Sequence, residues 1–101
     1  MYEFAWESPL LGGRLGACHG LEIGFVFDTI DDEEGELLYG SAPPAELATA
    51  MHKAWIDFAR SGQPGWDPYT PATRATMTFA LTSTLSHDPR HEQRAAWEGI
   101  R

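Results

Sequence analysis

Tyr2, Phe4 and Trp6 alternate with Glu3, Ala5 and Glu7, the two-residue period of a strand with one apolar face, and Ser8-Pro9 ends it. Leu10 to Gly20 follows with four glycines, a turn-rich stretch suited to close approach of backbone to another group. Leu21 to Phe27 fits two periods. Leu21, Ile23, Phe25 and Phe27 alternate as in a strand, while Leu21 and Phe25, with Ile23 and Val26 between them, equally suit a short buried helix. Asp31, Asp32, Glu33, Glu34 and Glu36 with Gly35 read as a solvated surface loop, and Leu37-Leu38-Tyr39 as a small apolar patch.

The helical period is clearest from Ala45 to Arg60, where Leu47, Met51, Ala54, Trp55 and Phe58 fall on one stripe, the pattern of core packing. Pro44 suits the first turn, Arg60 the last turn, and Gly62 a left-handed stop. The proline-rich stretch Trp66 to Pro71 is turn-like, with Trp66 and Tyr69 as anchors. Met77, Phe79 and Leu81 alternate with Thr76, Thr78 and Ala80 as a second strand, and Asp88-Pro89 starts a helix that continues from Arg90 to Trp97. No internal repeat, low-complexity tract or domain boundary interrupts the chain.

Composition narrows the classes. A chain of 101 residues has the size of one domain or part of one, and 43% hydrophobic residues with four tryptophans predict a packed chain instead of a disordered one. The net charge of -8 repels phosphate backbones and anionic headgroups, which argues against nucleic acid and membrane surfaces as partners. No apolar run approaches the roughly twenty residues that span a bilayer, and Met1 to Glu7 lacks the basic start and apolar middle of a signal peptide. Cys18 is the single cysteine, so no intrachain disulfide forms, and this favours a reducing, cytoplasmic compartment without fixing it.

The candidate chemistry lies in Gly16-Ala17-Cys18-His19-Gly20-Leu21-Glu22, where small neighbours leave the His19 imidazole open to a substrate. Histidine titrates near neutral pH and suits general acid and base work. Taken alone, a single histidine in a glycine-rich loop is more often a surface or hydrogen-bonded structural residue than a catalytic one. The wider context adds to it. Tyr2-Glu3-Phe4, the His19 stretch, Phe25-Val26-Phe27, then Phe58-Ala59-Arg60 with Gly62 and Pro64, and the Trp66, Tyr69, Pro71 turn stand in the order found in one enzyme family. Across nearly its whole length the chain resembles the C-terminal segment of type-B carboxylesterases, the para-nitrobenzyl-esterase-like enzymes.

That resemblance implies an α/β fold, residues 1–101 being the C-terminal fragment of a single α/β-hydrolase domain with the last sheet strands, the histidine loop and two packing helices. It implies a small-molecule carboxylic ester as substrate, acyl transfer through a serine, His19 as the catalytic acid and base, and no metal or organic cofactor. It places the serine and the triad acid upstream of Met1. None of Ser8, Ser41, Ser61, Ser83 and Ser86 stands in the Gly-x-Ser-x-Gly turn such a nucleophile occupies, so the chain by itself is expected to be inactive. Open sheet edges are expected to recruit the missing N-terminal segment or a second copy. The competing expectation is a non-catalytic interaction or scaffold module of the same fold.

Other polar residues are assigned structural roles. Glu22 is expected to support the local turn or cap a helix, and Cys18 to be a semi-buried thiol, since adjacent residues on an extended backbone point apart. His87 and His91 are expected on the surface and not to form a metal pair, because Pro89 separates them from a common helix face; His52 is expected to face solvent.

Overall fold

The computed structural model describes residues 1–32 and 35–100, so Glu33 and Glu34 of the acidic run lie outside the described residues. Strand β1 (Tyr2–Phe4) opens the chain, and a short 3-10 turn (Leu10–Gly13) follows. Three helices come next: α1 (Ile23–Phe27), α2 (Glu36–Tyr39) and α3 (Ala45–Ser61). Strands β2 (Ala75–Phe79) and β3 (Thr84–His87) and helix α4 (His91–Ala95) complete it. The sheet has the order β1-β2-β3, with β1 parallel to β2 and β2 antiparallel to β3. A parallel pair cannot be joined by a hairpin, and here the connection runs through α1, α2 and α3.

The alternation in β1 does what its period requires. Phe4 and Trp6 both pack on Phe25, with ring centroids 5.2 and 5.1 Å away, and Tyr2 packs edge-on against Phe79 at 5.7 Å. Phe25 is fully buried, as are Ala48 and Met51 of α3, so the core lies between the sheet and the α1–α3 pair. Full burial of a large apolar side chain stabilises by about 1.5–3 kcal/mol, and this cluster is where most of that gain is concentrated.

The ambiguous Leu21–Phe27 stretch resolves as a turn at Leu21 and Glu22 that runs into helix α1 (Ile23–Phe27). Leu21, Phe25 and Val26 turn inward together, whereas strand alternation would have sent Phe25 and Ile23 to the same face; Ile23 is 55% exposed. Asp28 closes α1 in the left-handed conformation. Glu36, read as part of the surface loop, and the Leu37-Leu38-Tyr39 patch together form helix α2, and of its three apolar residues Tyr39 is buried.

Four further expectations are corrected. Pro44 is not in the first turn of α3 but just before it, at extended ψ, and its carbonyl accepts from Leu47 and Ala48. The α3 stripe is buried at Leu47, Met51 and Ala54, but Trp55 and Phe58 are 46% and 56% exposed because the helix runs past the core cluster. The second strand stops at Phe79, leaving Leu81 exposed in the turn to β3, a strand whose one apolar residue, Leu85, carries no readable period. Helix α4 begins at His91 instead of Asp88, since Asp88 adopts positive φ (54°) and its carboxylate engages side chains instead of capping a helix.

Candidate active site

Beyond β1 the backbone folds into a loop whose base is closed by an antiparallel bridge between Ser8 and Gly16, with the Ser8 N–H donating to the Gly16 carbonyl at 3.1 Å. His19 lies just past that bridge. The Leu21 N–H donates to the Cys18 carbonyl at 3.2 Å, so His19 and Gly20 form the corner of a tight turn. Gly20 takes φ +78°, a conformation that costs glycine little and side-chain-bearing residues more. The Ile23 N–H then donates to the Gly20 carbonyl at 3.2 Å, which runs the turn directly into α1.

The His19 side chain is exposed at this corner. The side-chain hydrogen bonds of histidine among the described residues belong to His52 and His91, so the His19 imidazole has no hydrogen-bond partner among the described residues. The loop that carries it leaves the carboxyl end of a parallel strand, the end at which open α/β sheets bind ligands.

The other candidate residues separate from it. Ser8 is fully buried and donates its hydroxyl to the Leu38 carbonyl at 2.7 Å, so it is occupied as a structural bridge between the loop and α2. Ser61 donates to the Asp57 carbonyl and Ser83 to the Ala80 carbonyl. Cys18 is half-buried against the core cluster. Glu22 makes no side-chain cap at α1, although its backbone carbonyl accepts from Val26. Its charge bears on Tyr2 instead: burial first, then Glu22, push the Tyr2 phenol above its usual pKa, against a smaller opposite pull from Trp55.

The expectation for His52 is corrected. It is half-buried, and its Nδ1 lies 2.8 Å from the Val26 carbonyl, because one turn of α3 passes directly beneath the end of α1. His87 is exposed on β3, whereas His91 on α4 has its Nδ1 3.0 Å from Asp88. Among the described residues no cluster of three His, Cys, Asp or Glu side chains has the arrangement of a metal site. The sequence gives no sign of an apolar cavity of about 230 Å³ between Tyr2, Ala54, Trp55, Phe58, Pro64 and Trp66, which no residue of the His19 loop lines. The exposed positions of Trp55 and Phe58, which only the fold sets, create it.

No protein-family model matches the chain. Its curated relatives include the phenmedipham hydrolase of Pseudarthrobacter oxydans, 38% identical over 79 residues, covering 73% of this chain and 16% of that protein. The para-nitrobenzyl esterase of Bacillus subtilis is 32% identical over 100 residues, covering 93% and 20% respectively. Among solved structures, a carboxylesterase of Geobacillus stearothermophilus superposes with a TM-score of 0.78 at 36% identity, covering 97% of this chain and 21% of that one. The chain thus spans about a fifth of the length of the proteins it matches.

Proposed function

We propose a function for this chain from one premise: it belongs to the para-nitrobenzyl-esterase-like family of type-B carboxylesterases and carries the C-terminal portion of their α/β-hydrolase fold. The function is hydrolysis of a small-molecule carboxylic ester, with His19 as the general acid and base. A serine hydroxyl supplied from outside these 101 residues attacks the ester carbonyl. His19 takes its proton, then returns it to the departing alcohol; in the second half it activates water against the acyl-enzyme by the same exchange. No metal or organic cofactor enters the chemistry. The observation that carries the reading is the exposed imidazole at the corner of a tight turn beyond the carboxyl end of a parallel strand.

Two measurements test it. In the esterase completed by its nucleophile-bearing segment, His19→Ala should lower kcat on the order of a million-fold, the scale set by removing a triad histidine in other serine hydrolases. Near-normal activity in that variant would remove His19 from the mechanism and favour a scaffold role. The 101-residue chain alone should hydrolyse p-nitrophenyl acetate at background, because it supplies neither nucleophile nor oxyanion donors. A rate above background that His19→Ala abolishes would overturn that part of the proposal.

A further inference from the structure

Helix α1 is five residues long, far short of what holds a helix together unaided in water, yet the His19 turn runs straight into it. Its ends are held from outside. At the first turn, where helix amides lack intrahelical partners, the Gly24 N–H donates to the Tyr39 hydroxyl at 3.2 Å. At the last turn, where carbonyls lack partners, the Val26 carbonyl accepts from the His52 Nδ1–H at 2.8 Å. Tyr39 is 5% exposed and packs edge-on against Phe25 at 5.4 Å, so its hydroxyl has little freedom to leave. The residue it meets must be small: a β-carbon at Gly24 would lie 2.7 Å from the Tyr39 Cζ.

Only Gly20, Leu21 and Glu22 separate His19 from α1, and the first residue of α1, Ile23, donates the amide that closes the second half of the turn. A shift of α1 is therefore passed to the imidazole with little slack. Proton transfer needs the imidazole within about 2.6–3.2 Å of the group it serves, and a displacement of about 1 Å can cost on the order of a hundredfold in rate.

We infer that Tyr39 and His52 are positioning residues for His19, clamping α1 at its two ends so that the turn before it presents the imidazole in one place. The inference rests on the reading of His19 as the proton shuttle; neither Tyr39 nor His52 touches the reacting atoms. His52 serves in the tautomer, or the protonated form, that carries hydrogen on Nδ1.

Amide exchange in the chain itself tests the clamp independently of activity. Tyr39→Phe removes the hydroxyl and keeps the ring; His52→Leu removes the donor, while His52→Asn keeps one near the Nδ1 position. The amides of Leu21 and Ile23 should exchange roughly tenfold faster in Tyr39→Phe and His52→Leu, the scale of one lost hydrogen bond. In His52→Asn they should exchange at the unsubstituted rate, and the β2–β3 amides should be unchanged in all three. Unchanged loop exchange, equal acceleration throughout the molecule, or His52→Asn behaving like His52→Leu would overturn the inference. In the completed esterase the first two variants should lower kcat about ten- to a hundredfold at unchanged KM. A loss that merely follows the folded fraction would overturn it. Activity surviving His19→Ala sinks the functional reading instead, and leaves the exchange result standing by itself.

Discussion

Phe25 is the residue on which the interior turns. It is fully buried and its ring meets those of Phe4, Trp6 and Tyr39 within 5.1 to 5.4 Å. Phe25→Ala should cost about 3–5 kcal/mol, comparable with the whole stability of a small domain, and the check is loss of near-ultraviolet circular dichroism at 25 °C. Gly24 and Gly20 differ in why they are glycine. At Gly24 the obstacle is the Tyr39 ring, and Gly24→Ala should lower the urea midpoint by an amount equivalent to about 1–3 kcal/mol. At Gly20 the nearest atom to an added β-carbon is the Ile23 Cδ1 at 3.7 Å, an ordinary contact. There the positive φ alone opposes substitution, and Gly20→Ala should cost about 1 kcal/mol in the same measurement. The sequence marks all three residues as apolar or small; it does not say that Gly24 faces a phenol fifteen positions away.

At the scale of elements, α3 was the most legible, since its period, Arg60 and the Gly62 stop at φ +75° agree with one another. Strand β3 was invisible because an edge strand with both faces near solvent has no apolar alternation to display. Helix α4 shows a different failure. Asp88 looked like a helix cap, but its carboxylate accepts from the Arg94 guanidinium at 2.8 to 3.2 Å and lies near His91 and Arg74. Arg94, first among these neighbours, holds the Asp88 carboxyl well below its ordinary 3.8, at about 2. The sign follows from the depressed value: the contribution is fully present above about 3.8 and is lost as pH falls toward 2. Asp88→Asn, which tolerates the positive φ, should therefore flatten the fall of the thermal midpoint between pH 4 and pH 2 and leave its shape above pH 5 unchanged. An identical acid limb in wild type and variant would show that Asp88 carries none of it.

The molecule as a whole exposes more than a self-contained chain of its size should. Its accessible surface is 7271 Å² for 11.2 kDa, against about 5,700 Å² expected of a folded monomer, and its radius of gyration is 15.2 Å against about 13 Å. The excess has an address. Among the described residues β1 pairs on one side only, and the nearby Trp55 and Phe58 line an apolar cavity with Tyr2. We therefore propose that this edge is covered in the working protein by the rest of the hydrolase fold, and that the isolated chain covers it by self-association. Sedimentation at micromolar concentration should give a mass above the monomer; a dilute monomer with sharp thermal unfolding would contradict this.

The sequence by itself determined the strand at the start, the long helix α3, the packed and acidic character of the chain, and the order of motifs by which its family can be recognised. Those are properties of local period, composition and spacing, which neighbours in the chain carry among themselves. Tertiary structure alone decided that Ile23–Phe27 is helix, that His52 and Tyr39 meet the ends of α1, and that Trp55 and Phe58 stay at the surface. Each of these depends on which side chain arrives from a distant part of the chain, and one-dimensional periodicity contains no record of that arrival.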